Sequence, residues 1–598
     1  MQSLISTFLG WATRASLLIS KNILWAYIIC ISLFSGLTYL SNYHLPNSSI
    51  WDETYHITSG EKYLTGTMLM EAHPPLGKLL IALGEKIVNP NAPLKDLNIL
   101  GKICLATTPL VQTIDGKKVI TTTLKARQSN PTKLVDKSSF TTTDSIGIDN
   151  NNDGIKDSDY PEYFSYCGFR LIPALFGFGI PLIFFWLLWL MTRNPHLSAI
   201  GSSLVIFDNA LLVQSRAAML DSIQIFLVLG ACCFFVSLIS DFLDSQLIQP
   251  QWKTLLKYLG LGLTIGLALV TKHSSAFLLL LPIITIGWEL VNIATTQIQS
   301  YWIWKNQNPT KKFYENWLDI VDDLIINIIP KLSIVLLAIL FAYCSIFYIH
   351  TGLGTTINSK ASNNQGLYKA KDQYQDIIKS SETWNPVNFP IMFEDNWNYM
   401  EQYHKGVPKL DPTNKNENGS YPSNWPVMNK TISFKWETAN YSEYQIMYLI
   451  GNPLIWLTGL AGIILSISLI ISVIFFGNRI KNLRSFVFII IFVFLWLVYM
   501  ATMLYVIEIR VMYLYHYLIA LVFSLVLPTL LIEYLYGHEL RKDTFKSNLI
   551  YLSLVSWMVA VFVSYLVYAP FTYYLPLSHD GFKARQLFGF WQMKWPKD

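Results

Sequence analysis

Eleven long apolar runs constrain this chain more than any other feature. They lie near residues 23–40, 171–191, 196–213, 222–240, 256–271, 274–293, 331–350, 446–473, 485–504, 511–532 and 549–568. Each approaches the roughly 20 residues that a helix needs to cross a hydrocarbon core of about 30 Å. Lipid offers no hydrogen-bond partners, so a chain built this way must satisfy its backbone internally. Continuous runs of this length do so as helices. The expectation is an all-α polytopic membrane protein with about eleven transmembrane helices. A content of 52% hydrophobic and 14% charged residues excludes a soluble enzyme of 598 residues. The net charge of +5 is too scattered for a nucleic-acid binder.

Charge orients these runs, because short cytoplasmic loops are enriched in lysine and arginine. With the N-terminus inside, the inner segments hold Arg14 and Lys21, Arg193, Lys253 and Lys257, Lys305, Lys311 and Lys312, Arg479, Lys481 and Arg484, and Arg541, Lys542 and Lys546. Two long segments, 41–170 and 351–445, and the tail from Pro570 then face the lumen or periplasm. The chain divides into a membrane module over 1–350, a second outer loop over 351–445, and C-terminal helices and tail over 446–598. The outer segment of the first module carries an insertion at about 101–165. Run 23–40 lacks a small-residue cleavage site and reads as an uncleaved first helix.

Reactive side chains concentrate in the first outer segment. Trp51-Asp52-Glu53-Thr54-Tyr55-His56 follows the first run almost at once, and His73-Pro74-Pro75-Leu76-Gly77-Lys78 comes shortly after. Acidic residues beside a membrane are ordinarily solvated loop residues. Here the paired prolines suit a helix start. Leu76, Leu79, Leu80, Leu83 and Ile87 then recur at helical spacing, with Lys78, Glu85 and Lys86 on the other side. That pattern predicts a helix lying in the membrane interface, its polar edge at headgroup height. A carboxylate held there can take a proton from a hydroxyl, and Lys78 can neutralise a phosphate leaving group. The stretch from about Thr107 to Thr143, rich in Thr, Lys and Ser, reads as an irregular extramembrane insertion.

On these two motifs the sequence resembles the protein O-mannosyltransferases of the GT-C superfamily, which use a polyprenyl-phosphate sugar as donor. The family's acidic pair matches Asp52-Glu53, and its HPPLGK run matches 73–78 unchanged. Further matches follow in family order. They are Arg170 ahead of Pro173-Ala174 and Gly177, then Asp208-Asn209, Gln214-Ser215-Arg216 and Leu220-Asp221-Ser222, then Lys272, His350, Gly451-Asn452-Pro453 and the string from Arg510 to Tyr517 with His516 inside it. Ser420-Tyr421-Pro422-Ser423-Asn424-Trp425-Pro426 resembles the Pro/Trp-rich outer loop of bacterial members. The resemblance covers nearly the whole chain apart from the insertions.

The resemblance implies a GT-C fold with interfacial helices in the first outer loop. It implies inverting transfer of mannose from a polyprenyl- or dolichyl-phosphate carrier to Ser or Thr hydroxyls of exported proteins. Asp52 would be the general base, with Glu53 supporting it, and Arg170 would either contact the donor phosphate or orient the acidic pair. His73, Lys78, Asp208, Arg216, Asp221, Lys272, His350, Arg510 and His516 are the other candidates for holding phosphate or substrate. Plainer physical roles stand beside these. Arg170 and Arg510 can snorkel at helix ends, Lys78 can anchor an interfacial helix, and Asp208, Arg216 and Asp221 can form a structural salt link.

The family needs no nucleotide sugar and no obligatory metal. The β-trefoil MIR domain of eukaryotic members is missing between the seventh and eighth spans, where roughly 90 polar and aromatic residues stand instead. That departure leaves acceptor recognition open and points to a bacterial inner membrane over the endoplasmic reticulum. A related GT-C transferase that delivers another sugar to a lipid or glycan, as the aminoarabinose transferases do, is the alternative. A secondary transporter is a remote one, because it would show internal repeats and charges near the bilayer midplane.

Two features stand apart. Asp149, Asn151, Asp153 and Asp157, with Gly154, fit positions 1, 3, 5, 9 and 6 of a structural calcium loop. The last ligand position falls on Tyr160, so Asp159 or Glu162 would have to substitute, and a solvated acidic turn is the other reading. Cys104 and Cys167 flank the insertion and suit either two free thiols or a disulfide contributing about 4 kcal/mol on chain-entropy grounds.

Overall fold

The computed structural model describes residues 22–114, 117–129, 163–244, 251–307, 325–357, 370–414, 417–439 and 442–596. The calcium-loop candidates Asp149, Asn151, Asp153 and Asp157 lie outside the described residues. Among the described residues, no group of three or more His, Cys, Asp or Glu is placed to hold a metal ion.

Helix occupies the centre of every apolar run. In chain order the helices of these runs are α1 (Ile23–Ser35), α6 (Cys167–Thr192), α7 (Pro195–Ile206), α8 (Asn209–Arg216), α9 (Asp221–Leu243), α10 (Gln251–Leu269), α11 (Leu280–Gln307), α12 (Ile329–Leu353), α15 (Pro453–Phe476), α16 (Leu483–Val506), α17 (Leu518–Leu540) and α18 (Phe545–Thr572). Among the described residues, nine helical stretches are long and apolar enough to cross a membrane, and the bent pair α7 and α8 makes a tenth if taken as one span. The chain is a multi-pass integral membrane protein.

Two runs depart from plain spans. At run 196–213 the helix breaks by 61° between α7 and α8. The cause is Asp208, whose backbone is extended and whose carboxylate accepts from the Leu211 N–H at 2.9 Å, capping α8. Run 256–271 is α10, which packs between α9 and α12. Its glycines permit that approach: a Cβ at Gly262 would lie 2.7 Å from the Val335 carbonyl oxygen, and one at Gly266 2.8 Å from that of Ile339.

Run 446–473 begins as a strand. β4 (Glu443–Leu449) pairs antiparallel with both β3 (Ile432–Thr438) and β5 (Pro576–Ser578), so the tail after α18 closes the sheet. The helix starts only at Pro453, where the Asn452 side chain accepts from the Leu454 N–H at 3.2 Å.

The outer segments are more regular than their composition suggests. The first folds as α2 (Glu53–Thr65), α3 (Leu76–Val88) and α4 (Ile99–Thr107), a hairpin of β1 (Pro109–Ile114) and β2 (Lys117–Thr122), and α5 (Thr123–Ser129). The irregular insertion expected from Thr107 is therefore corrected as far as Ser129, because its β-branched Val, Ile and Thr residues favour a pleated pair. The polar edge of α3 is corrected too. Lys78 and Glu85 are buried inside the protein, whereas Leu83 and Ile87 are 43% and 42% exposed. Glu71 and Asn91 supply the internal partners for Lys78 and Glu85. The second outer loop carries α13 (Asp372–Lys379), α14 (Phe389–Gly406) and β3. Cys104 and Cys167 are joined as a disulfide that ties α4 to the start of α6.

Candidate active site

The turn before α2 sets the site. Trp51 has φ 50°, a left-handed conformation that a bulky residue adopts only when packing holds it there. Its indole stacks on Phe434 of β3 with centroids 5.3 Å apart and meets the Tyr513 ring edge-on at 5.9 Å. Asp52 follows at the N-cap position of α2. Burial pushes its carboxyl up to about 6, the nearby Lys272 ammonium opposes that shift, and Asp221 adds to it.

Cations from distant parts of the sequence surround this carboxyl. Lys272, between α10 and the helical turn His273–Leu279, donates to Asp221 at 2.7 Å and lies 5.7 Å from the centre of the Tyr515 ring. Asp221 also accepts from Gln214 at 2.8 Å. Arg510 donates through Nη1 to His404 Nδ1 on α14 at 2.9 Å, while its buried Nε has no hydrogen-bond partner. His73 packs 5.9 Å from His404, and burial holds its imidazole neutral. His516 stacks on Tyr515 at 4.5 Å with Nδ1 engaged by the Tyr513 backbone. Asp52, His73, Asp221, Lys272, Arg510 and His516 are thus brought together.

Other expected binders are consumed by the fold. Arg170 spends all five guanidinium N–H groups on Glu53 and on the carbonyls of His44, Pro46 and Ser48, leaving none for a phosphate. In this geometry the guanidinium engages the acidic pair through Glu53. Glu53 accepts from Arg170, Ile50 N and Ala218 N, so its carboxylate is a structural latch. Arg216 donates to the Ser41 and Asn42 carbonyls, fixing the exit of the first span rather than an acidic partner. Asp208 accepts from Leu211 N, Asn452 N and Trp456 Nε1. His350 bridges Tyr63 at 2.7 Å and Asn396 at 2.9 Å, using both ring nitrogens. Lys78 is paired with Glu71, which Ser59 also contacts.

Sequence reasoning passed over His56, Glu71, His404 and the tyrosines. His56 stands four residues after Asp52, a spacing that places both on one face of a helix, and its buried Nδ1 has no hydrogen-bond partner. His404 gave no signal, because it lies in the polar, aromatic-rich second outer loop, where no motif singled it out.

Residues 29–113 and 146–353 match the family model of dolichyl-phosphate-mannose-protein mannosyltransferase, and residues 392–591 match that of the C-terminal four-TMM region of protein-O-mannosyltransferase. Protein O-mannosyl-transferase 2 of Danio rerio is 24% identical over 248 residues, 41% of this chain and 24% of that protein. The polyprenol-phosphate-mannose--protein mannosyltransferase of Mycolicibacterium smegmatis is 29% identical over 140 residues, 21% of this chain and 27% of that protein. These alignments span about a quarter of the curated relatives' length. The solved protein O-mannosyltransferase Pmt1-Pmt2 complex of S. cerevisiae, bound to its sugar donor, shares the fold at a TM-score of 0.60 and 14% identity, covering 94% of this chain and 92% of that one. With both family models matched in order, the chain belongs to the protein O-mannosyltransferase family.

Proposed function

We propose that this protein transfers mannose from a polyprenyl- or dolichyl-phosphate carrier to Ser or Thr hydroxyls of polypeptides, on the periplasmic or luminal face of its membrane. The observation that supports this reading best is the half-buried Asp52 carboxyl, its pKa raised by desolvation to about 6, beside Lys272 and Arg510. A glycosyl phosphate is already activated, so catalysis reduces to alignment, a base and stabilisation of the departing charge. The acceptor oxygen attacks the anomeric carbon while the bond from that carbon to the phosphate oxygen breaks. The carrier phosphate leaves with the electron pair, and the hydroxyl proton passes to Asp52. Attack opposite the leaving group inverts the anomeric centre. Arg510, with its unpartnered Nε, meets the phosphate charge, and Lys272 adds a second positive charge. No nucleotide sugar and no metal enters this step.

The test is transfer from polyprenyl-phosphate mannose to a Ser/Thr-rich peptide by purified wild type, Asp52→Ala and Asp52→Asn. Loss of transfer in both variants, with donor binding retained, is expected. Equal transfer by wild type and Asp52→Asn would sink the base assignment.

A further inference from the structure

We infer that His404, on α14 of the second outer loop, is a positioning residue that fixes the Arg510 guanidinium for the departing phosphate. This rests on the function proposed above and extends it to a segment that carried no assigned role. A guanidinium only donates, so the 2.9 Å contact from Arg510 Nη1 makes His404 Nδ1 the acceptor and puts the ring proton on Nε2. The ring also lies beside the backbone of Ala72, next to His73. Burial and the Arg510 charge both disfavour a second proton on it. The His73 and Tyr403 rings flank it at 5.9 and 6.0 Å. His404 therefore joins three segments: the His73-to-Lys78 run, α14 and Arg510.

A neutral acceptor suits this position physically. A carboxylate would hold Arg510 equally well, but it would neutralise the cation and compete with the phosphate for it. An imidazole orients the guanidinium and leaves its full charge for the ligand. The bond to His404 engages one of the five guanidinium N–H groups, and the buried Nε, without a partner, is among the donors left for that ligand.

The experiment is donor-saturation kinetics at fixed peptide with the full chain, comparing wild type, His404→Ala, His404→Asn and His404→Asp. Loss of one hydrogen bond to a charged group predicts a donor KM about tenfold to a hundredfold higher for His404→Ala. His404→Asn, whose Oδ1 takes the place of Nδ1, is expected to recover most of that loss. His404→Asp is expected to be no better than alanine, because its carboxylate competes with the donor. Misfolding would reduce the active fraction, hence apparent kcat, and leave KM alone. A donor KM for His404→Ala within about twofold of wild type, or no recovery by His404→Asn, overturns the inference. A wild type that turns over no polyprenyl-phosphate mannose overturns the function reading first and this inference with it.

Discussion

Arg170 holds Glu53 through two hydrogen bonds of 2.6 and 2.7 Å, and both side chains are fully buried. The pair draws together α6, the start of α2, the turn after the first span and, through Ala218, the turn between α8 and α9. A buried ion pair is weak evidence for net stability, but breaking one partner leaves an uncompensated charge at a cost of about 3–5 kcal/mol. Glu53→Gln is therefore expected to fold poorly, with a Tm well below wild type in detergent or nanodiscs. Full thermal stability with abolished transfer would instead make Glu53 a participant in the chemistry.

Asp52 has the opposite signature. Its folded-state pKa of about 6 exceeds the ordinary 3.8, so the folded protein binds this proton more tightly than the unfolded chain. The resulting stabilisation is complete below pH 3.8 and is lost as pH rises through about 6. Asp52→Asn removes the half-buried charge, and it is expected to raise stability at pH 7 by at most about 3 kcal/mol while abolishing transfer. Thermal unfolding at pH 5 and pH 7 checks this: the gain over wild type shrinks at the lower pH. A variant no more stable than wild type at pH 7 would contradict the burial argument.

The fold was largely legible because lipid imposes a length and a composition that no other environment demands. The misreadings share one physical origin. Composition reports how polar a segment is but not which polar groups pair with each other. Lys78 and Glu85 looked like a solvated edge because their partners Glu71 and Asn91 lie outside the helical repeat. Arg170 and His350 looked like ligand-binding groups because a charged or titratable residue at a helix end has the same sequence appearance whether it faces substrate or closes a bridge. Ile446 to Leu449 extended an apolar run although they pair in a sheet, and the capping Asn452 with Pro453 at the first helical position marks the boundary. Arg510 and Asp52, 458 positions apart, meet through tertiary packing that no local pattern encodes.

The Cys104–Cys167 bridge closes a loop across a separation of 63 residues. Replacing both cysteines by serine is expected to lower stability by about 2–5 kcal/mol, without changing donor KM. Mass mapping under non-reducing conditions should recover the two half-cystines in one linked peptide. Recovery of both as free thiols would refute the bridge.

Asp208 and Asp221 read as equivalent in sequence, and the structure separates them. Asp208 caps α8 and accepts from Asn452 N and Trp456 Nε1, so Asp208→Ala strands three buried donors at about 1–3 kcal/mol each. Its expected phenotype is loss of folded protein with an unaltered donor KM in whatever survives. Asp221 instead sits beside Lys272 and raises the Asp52 pKa. If Asp52 is the base proposed above, it acts only when ionised, and the acid limb of kcat/KM should fall near pH 6 in wild type. Asp221→Asn removes a like charge and frees Lys272, and both effects move that limb to lower pH. Lys272→Gln removes the opposing cation and moves it to higher pH in the residual activity. pH–rate profiles of the two variants decide the matter, and shifts in the same direction would rule out Asp52 as the titrating base.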